Sequence, residues 1–391
     1  MLKSKKNIFF VITLAILSLS IFISNAVNFD IVFADNLIDI DAKAYYVFEG
    51  NSMTTLAEKD STVHYEVASM VKLMTSLLTI EKIEIGDWNL EDKLCVSEYA
   101  ASMEGSQAFL DAGKSYKIDD LLKSVIVASA NDSSVVLAEN YAGTENNFVD
   151  YMNSKAKELG MTETLYSNST GLPSATNQYS TAKDIAIILN EVSKHELYKK
   201  YSNIWMDKIV HFDGRETELV NTNRLVKYYP GCICGKTGFT DEAGYCLSVV
   251  AEKNDMNIIS VVMGAKSSSD RFNYSANLLN FGFSNYRNNK VVDCNEDIAT
   301  EIKLKGSKEE ILCRPREDLY LLEKQGTTEN YVIEKIYENL KGNIAKGDVV
   351  GKIVIIKDGN VVKETQLISV DNYHSATFID SIKNIFKNWE L

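Results

Sequence analysis

Three short stretches of this chain carry residue types that can act together in acyl transfer. Ser69-Met70-Val71-Lys72 is an S-x-x-K heading an apolar helical pattern, Ser129-Ala130-Asn131 is an S-x-N in a polar break, and Lys236-Thr237-Gly238 is a K-T-G leading into a strand-rich region. Three residues apart on a helix, Ser69 and Lys72 share one face about one turn from each other. A serine hydroxyl is a poor nucleophile until a nearby base removes its proton. Lys72 can be that base only as the neutral amine, and both burial and a second cation, Lys236, act in that direction. The positive end of the helix also favours negative charge developing at Ser69. Ser129 suits a proton relay, and Asn131 suits orienting a substrate amide and Lys72. Lys236 and Thr237 offer a cation and a hydroxyl to a substrate carboxylate. Gly238 leaves room for a substrate backbone to approach the strand.

Each element alone is a weak signal. S-x-x-K recurs at Ser154–Lys157 and Ser180–Lys183, and S-x-N at Ser275–Asn277, whereas K-T-G occurs once. A helix cap, a solvated lysine or a loop cap explains any one of them. Specificity comes from their order and from the helix that Ser69 heads, where Met70, Leu73, Met74, Leu77 and Leu78 fall on one apolar face.

The elements that must position these residues can be read coarsely. Ala42–Phe48 reads as a strand, and residues 51–60 as a polar turn and return. Helices are expected from Ser69, over Ile118–Val127, again from Val135 to Tyr141 after the polar SANDSS break, and over Thr181–Val192. Gly244–Ala251 and Asn257–Gly264 read as strands joined by the hairpin-like Glu252-Lys253-Asn254-Asp255, and Leu278–Phe283 as part of a closing helix. From about Lys290 the pattern is strand-like. Its best hairpin signal is Lys352–Ile356, then Asp358-Gly359, then Val361-Val362. Mixed runs rather than strict alternation of strand and helix argue against a doubly wound sheet.

Composition narrows the class further. The 391 residues are 45% hydrophobic and 24% charged, enough for a sizeable core and more than one folding unit. A net charge of −13 disfavours phosphate backbones, so no nucleic-acid partner is expected. Lys3, Lys5 and Lys6 precede an apolar run from Ile8 to Ile23, which is the order of an export signal with cleavage after Ala26 or Ala34. An uncleaved anchor is the other reading of that run. Six cysteines and four scattered histidines form no zinc pattern, so neither metal nor cofactor is expected. Pairing within Cys232, Cys234 and Cys246, or between Cys294 and Cys313, stays open beside buried free thiols. At the far end, Phe378, Ile382, Ile385, Phe386 and Trp389 share a helical face, the pattern of a helix lying in a membrane interface or packed on its own protein.

At these residues the chain resembles the D-alanyl-D-alanine carboxypeptidases, the low-molecular-mass penicillin-binding proteins. Val67 through Thr75 resembles that family's P-A-S-x-x-K-x-M-T, Asn168–Pro173 its N-x-x-G-L-P, and Tyr179–Ala182 its H-Y-S-T-A. Further similar blocks are Lys236–Thr240 with Ala243–Tyr245, Val261–Ala265, Arg271 through Gly282, and Lys346–Gly351 in a C-terminal β domain. The resemblance implies that Ser69 is acylated with Lys72 as general base, that Ser129 and Asn131 complete proton relay and substrate positioning, and that Lys236 and Thr237 bind the terminal carboxylate near Arg271. It implies an oxyanion hole from the backbone N–H groups of Ser69 and Phe239. Departures are Val67 for a proline, Gln178 for a histidine, and Gly231-Cys232-Ile233-Cys234-Gly235 where the family has G-x-D-G-x.

The resulting expectation is an α/β (α+β) penicillin-binding-protein/β-lactamase-like transpeptidase fold with a small all-β domain and a C-terminal amphipathic helix. The divisions are a signal over 1–34, a catalytic domain over 35–289, a β domain over 290–372 and the tail over 373–391. The expected function is serine D-Ala-D-Ala carboxypeptidase acting on the stem peptide of peptidoglycan outside the cytoplasm, with β-lactams as inhibitors and the tail on the membrane surface. The alternatives are a catalytically silent wall-binding protein and a β-lactamase-related hydrolase, the latter lacking a clear E-x-x-x-N element.

Overall fold

The structure is a computed structural model describing residues 40–174, 176–300, 311–327, 330–338, 340 and 342–374. The expected leader and most of the tail lie outside the described residues. Five antiparallel strands form the main sheet: β1 (Ala44–Glu49), β2 (Thr54–Lys59), β3 (Cys232–Thr240), β4 (Gly244–Lys253) and β5 (Met256–Ala265), in the order β2-β1-β5-β4-β3. All six residues of β1 are buried. Ala44, Tyr46 and Phe48 enter one core and Tyr45 and Val47 the other, which is why its sequence reads as an unbroken apolar run rather than an alternation.

Helices cover both faces. The first core joins the sheet to α1 (Lys72–Glu84) and to a later helix over Ala182–Val192, while the second packs the opposite face on a helix over Ser268–Asn285. Between them in sequence come α2 (Ile118–Val127), α3 (Asn131–Ala142) and α4 (Glu145–Glu158). The two later helices already named are α5 (Ala182–Val192) and α6 (Ser268–Asn285), and shorter helical turns lie at Glu98–Ala101, Glu196–Ser202 and Leu225–Tyr228. Thr144, Thr181 and Ser267 each cap their helix by accepting a backbone N–H. The first nine residues of α1 are all buried, as befits a helix enclosed by the domain rather than lying on it.

Several expectations shift in register. Ser69 does not begin an α-helix. It sits in a 3-10 turn, Ala68–Val71, because Ala68 takes a left-handed conformation with φ of 46° and α1 starts only at Lys72. Helix α3 begins at Asn131, not Val135, since Ser129 (φ 62°) reverses the chain and lets the helix start inside the polar stretch. Helix α6 extends well beyond Leu278–Phe283. The β4–β5 turn uses Asn254 and Asp255, both at positive φ (51° and 59°), residue types that tolerate it.

Beyond α6 the chain turns to strands: β6 (Tyr286–Val292), β7 (Ile298–Ala299), β8 (Leu312–Pro315), β9 (Leu319–Lys324), β10 (Val332–Tyr337), β11 (Val349–Lys357) and β12 (Asn360–Ser369). β6 pairs with β9, and the others form a sheet in the order β7-β8-β12-β11-β10. The expected hairpin turns at Asp358 and Gly359, both at positive φ. Ile353, Ile355 and Leu367 bury a separate small core there with Val350 and Cys313.

Candidate active site

The 3-10 turn and the start of α1 put Lys72 Nζ 3.0 Å from Ser69 Oγ. Lys72 is wholly buried, and its other contact is the carbonyl of Thr170 at 2.5 Å. Its pKa lies well below the ordinary lysine range, first because burial penalises the charge, then because the Lys236 charge repels it, with Asp132 pulling the other way. Lys236 is 2% exposed and donates to Ser129 Oγ at 2.8 Å and to the Thr237 carbonyl at 3.0 Å. Burial, then the neighbouring Arg271 charge, push its pKa down to about 7. Among the described residues neither lysine has a carboxylate hydrogen-bond or ion-pair partner, so no paired charge offsets the burial that lowers the pKa of each.

Asn131, the first residue of α3, donates through Nδ2 to the carbonyl of Glu104 at 2.6 Å. Its Oδ1 is buried without a partner and faces no protein donor. An orphaned acceptor of that kind suits a substrate N–H. Asn131 makes no hydrogen bond to Lys72, so the expected second role for it is taken by Thr170. Arg271, in the first turn of α6, donates to the Gly238 carbonyl at 3.0 Å and stacks over Tyr245, whose ring packs on Phe239. Thr237 is buried on β3 and Phe239 beside it is half exposed.

Gly238 also has a close approach within the chain itself. A Cβ there would lie 2.7 Å from the Val67 carbonyl, so the residue is kept bare by the chain's own Ser69 turn. Gly171 closes on the same turn from the other side. Its Cβ would fall 1.9 Å from the carbonyl oxygen of Ala68, and its φ of +83° already favours glycine.

Sequence reading missed Thr170, Gly171, Asp132 and Glu104. Asp132 had a signal, standing in the first turn of the helix that follows S-x-N, and it anchors Ala108 N and Leu110 N. Thr170 and Glu104 act through main-chain carbonyls, which leave no mark in side-chain identity. The departure at Cys232-Ile233-Cys234 is absorbed by a bulge at the start of β3, and all six cysteines are free, four of them buried. Asp293, Cys294 and Asp318 come together in the small β region, but Lys290 ion-pairs both carboxylates.

A serine and a buried lysine at the head of a central helix, faced by a second serine from the α2–α3 break and a second lysine from the antiparallel edge strand, fit an active-site-serine acyl-transfer enzyme of the penicillin-recognising class. Residues 31–267 match the family described as D-alanyl-D-alanine carboxypeptidase, and residues 286–375 match the C-terminal domain of penicillin-binding protein 5. The chain belongs to the D-alanyl-D-alanine carboxypeptidase family. It is 37% identical over 351 residues to D-alanyl-D-alanine carboxypeptidase DacF of Bacillus subtilis, covering 89% of this chain and 90% of that one. It is 30% identical to D-alanyl-D-alanine carboxypeptidase DacC of Escherichia coli, covering 90% of each chain. The solved penicillin binding protein 5 from Haemophilus influenzae superposes with a TM-score of 0.71 at 28% identity, over 88% of this chain and 100% of that one. The fold is therefore that of penicillin-binding proteins and β-lactamases with a small all-β domain after it.

Proposed function

We propose that this serine D-Ala-D-Ala carboxypeptidase works through an acyl-enzyme on Ser69, with Lys72 as the general base. The observation that carries the reading is the wholly buried Lys72 amine, 3.0 Å from Ser69 Oγ and without a carboxylate partner among the described residues. Ser69 Oγ attacks the carbonyl of the penultimate D-alanine while its proton passes to Lys72 Nζ. Backbone N–H groups of Ser69 and Phe239 receive the oxyanion, as the close packing of Gly238 on Val67 supports. Asn131 Oδ1 accepts from the substrate amide. Lys236 and Thr237 hold the terminal carboxylate, and Arg271 acts from behind β3. As the tetrahedral species collapses, the proton returns through Ser129 to the amine of the departing D-alanine. Water then hydrolyses the Ser69 ester, its proton taken by the same base.

Peptidoglycan is the substrate and β-lactams the covalent inhibitors that this family implies, which places the enzyme outside the cytoplasm. We further assign residues 1–34 to an export signal, 35–289 to catalysis, 290–372 to a stalk-like β domain and 373–391 to membrane-surface attachment. No helix of the described residues is long and apolar enough to cross a membrane. The decisive experiment measures D-alanine release from a soluble peptide ending in D-Ala-D-Ala, with Ser69→Ala alongside. Release by the wild type alone supports the reading. Absence of both release and a penicillin adduct on Ser69 overturns it in favour of a silent wall-binding protein.

A further inference from the structure

We infer that Asn168 and Gln178 are positioning residues for acylation, aiming the lone pair of Lys72 at the Ser69 hydroxyl through the carbonyl of Thr170. The inference rests on Lys72 being the base.

A neutral amine has two N–H bonds and one lone pair. Proton abstraction needs that lone pair on the line to Ser69 Oγ, and the amine can otherwise rotate about its last carbon. The Thr170 carbonyl, 2.5 Å away, takes one N–H and removes most of that freedom. Where the carbonyl stands thus decides where the lone pair points.

The carbonyl stands where a tight turn puts it. Asn168 Oδ1 accepts from Thr170 N at 3.1 Å, Thr170 Oγ1 at 3.2 Å and Gly171 N at 2.7 Å, while its Nδ2 donates to the Leu172 carbonyl at 2.9 Å. Gln178 Oε1 holds the entry to the turn, accepting from Ser167 N at 3.0 Å and Asn168 N at 3.2 Å. Gln178 is itself fixed by its neighbour Tyr179, which exchanges two backbone bonds with Leu165. Ser169 is locked from three sides by Glu145, Thr75 and Ser134. Through Gly171 the same turn touches Ala68, so one short segment sets both the base and the residue before the nucleophile. Neither Asn168 nor Gln178 bonds Ser69 or Lys72 itself.

The charged groups acting on Lys72 are Lys236 on β3 and Asp132 on α3, and the carbonyl adds to them by favouring the protonated amine. Loosening the turn therefore has two effects of different sign. The plateau rate of acylation falls, and the acid limb of its pH profile moves to lower pH.

The test is acylation of the purified protein by a fluorescent penicillin as a function of concentration and pH. Wild type is compared with Asn168→Ala, Gln178→Met and Gln178→Glu. The expected result is a limiting rate down about 10²-fold in Asn168→Ala and Gln178→Met with a nearly unchanged saturation constant. Their acid limbs move down, and Gln178→Glu, which keeps the acceptor oxygen, recovers most of the rate. Unchanged rates overturn the inference. So does a rate loss that tracks the melting temperature with no movement of the acid limb. If wild type is not acylated, it is the reading of Ser69 and Lys72 that falls, and this inference with it.

Discussion

Lys72 and Lys236 come from different walls of the fold, one from the central helix and one from the edge strand, and each donates to a serine of its own, while the Lys236 charge also lowers the pKa of Lys72. Lys72 contacts Ser69 at 3.0 Å and Lys236 contacts Ser129 at 2.8 Å. Two buried cations without counter-ions cannot both be charged cheaply, so the site holds protons weakly by design of its surroundings.

Removing the base is the first test of that arrangement. Lys72→Met should lower the rate of penicillin acylation by about 10²–10⁴-fold, the range of general-base contributions. Intact-mass measurement of the Ser69 adduct over time reads it. Acylation at the wild-type rate would mean that another group takes the proton.

The pH profile should be bell-shaped. Lys72 must be neutral to act, so acylation falls as pH drops through its lowered pKa. Lys236 must be charged to hold a carboxylate, so substrate binding weakens as pH rises past its pKa of about 7 in the free enzyme. Because the Arg271 charge helps to lower that value, Arg271→Gln should move the basic limb of kcat/KM to higher pH. An unmoved limb would remove Arg271 from the electrostatics of Lys236.

Stability should run against activity. A lysine whose folded pKa is lowered costs most where it is charged in the unfolded chain, and that cost fades as pH rises from the folded pKa towards the unfolded one. For Lys236 this window opens at about 7 and extends to the ordinary lysine value. Lys236→Met should therefore raise Tm near neutral pH while abolishing turnover, and its advantage should shrink at alkaline pH. A lower Tm across the whole range would show that the Ser129 contact outweighs the burial cost.

Two glycines at the same φ separate backbone strain from collision. Gly143 and Gly171 both have φ of 83°, but nothing lies within 4 Å of a Cβ on Gly143, whereas one on Gly171 meets Ala68 O at 1.9 Å. Gly143→Ala should cost about 1–2 kcal/mol of stability and leave acylation intact. Gly171→Ala should cost more and abolish acylation, measured by thermal melts and penicillin labelling. Equal effects would mean that the turn yields without disturbing Ser69.

Much of this was legible in side-chain patterns. The spacing of Ser69 and Lys72, the apolar face of α1, the Thr181 cap and the Asp358-Gly359 turn follow from local rules of period and backbone preference. What escaped was set by distant parts of the chain. Ala68 and Ser129 adopt left-handed conformations that their residue types do not announce, and both are buried. Those two residues moved the starts of α1 and α3. The carbonyls of Thr170 and Glu104 are present whatever residue stands there, so no motif marks them. The approach of Gly238 to the Val67 carbonyl was equally hidden, because a sequence does not say which backbone comes near.

The enclosure of the Ser69 turn between Gly171 and Gly238 also bears on how the enzyme can change over generations. Both neighbours are bare main chain, and a Cβ at either would collide with the turn, so natural selection has no side chain to vary at those two positions. Variation has more room further out, at positions such as half-exposed Phe239, where a new side chain meets solvent rather than the turn.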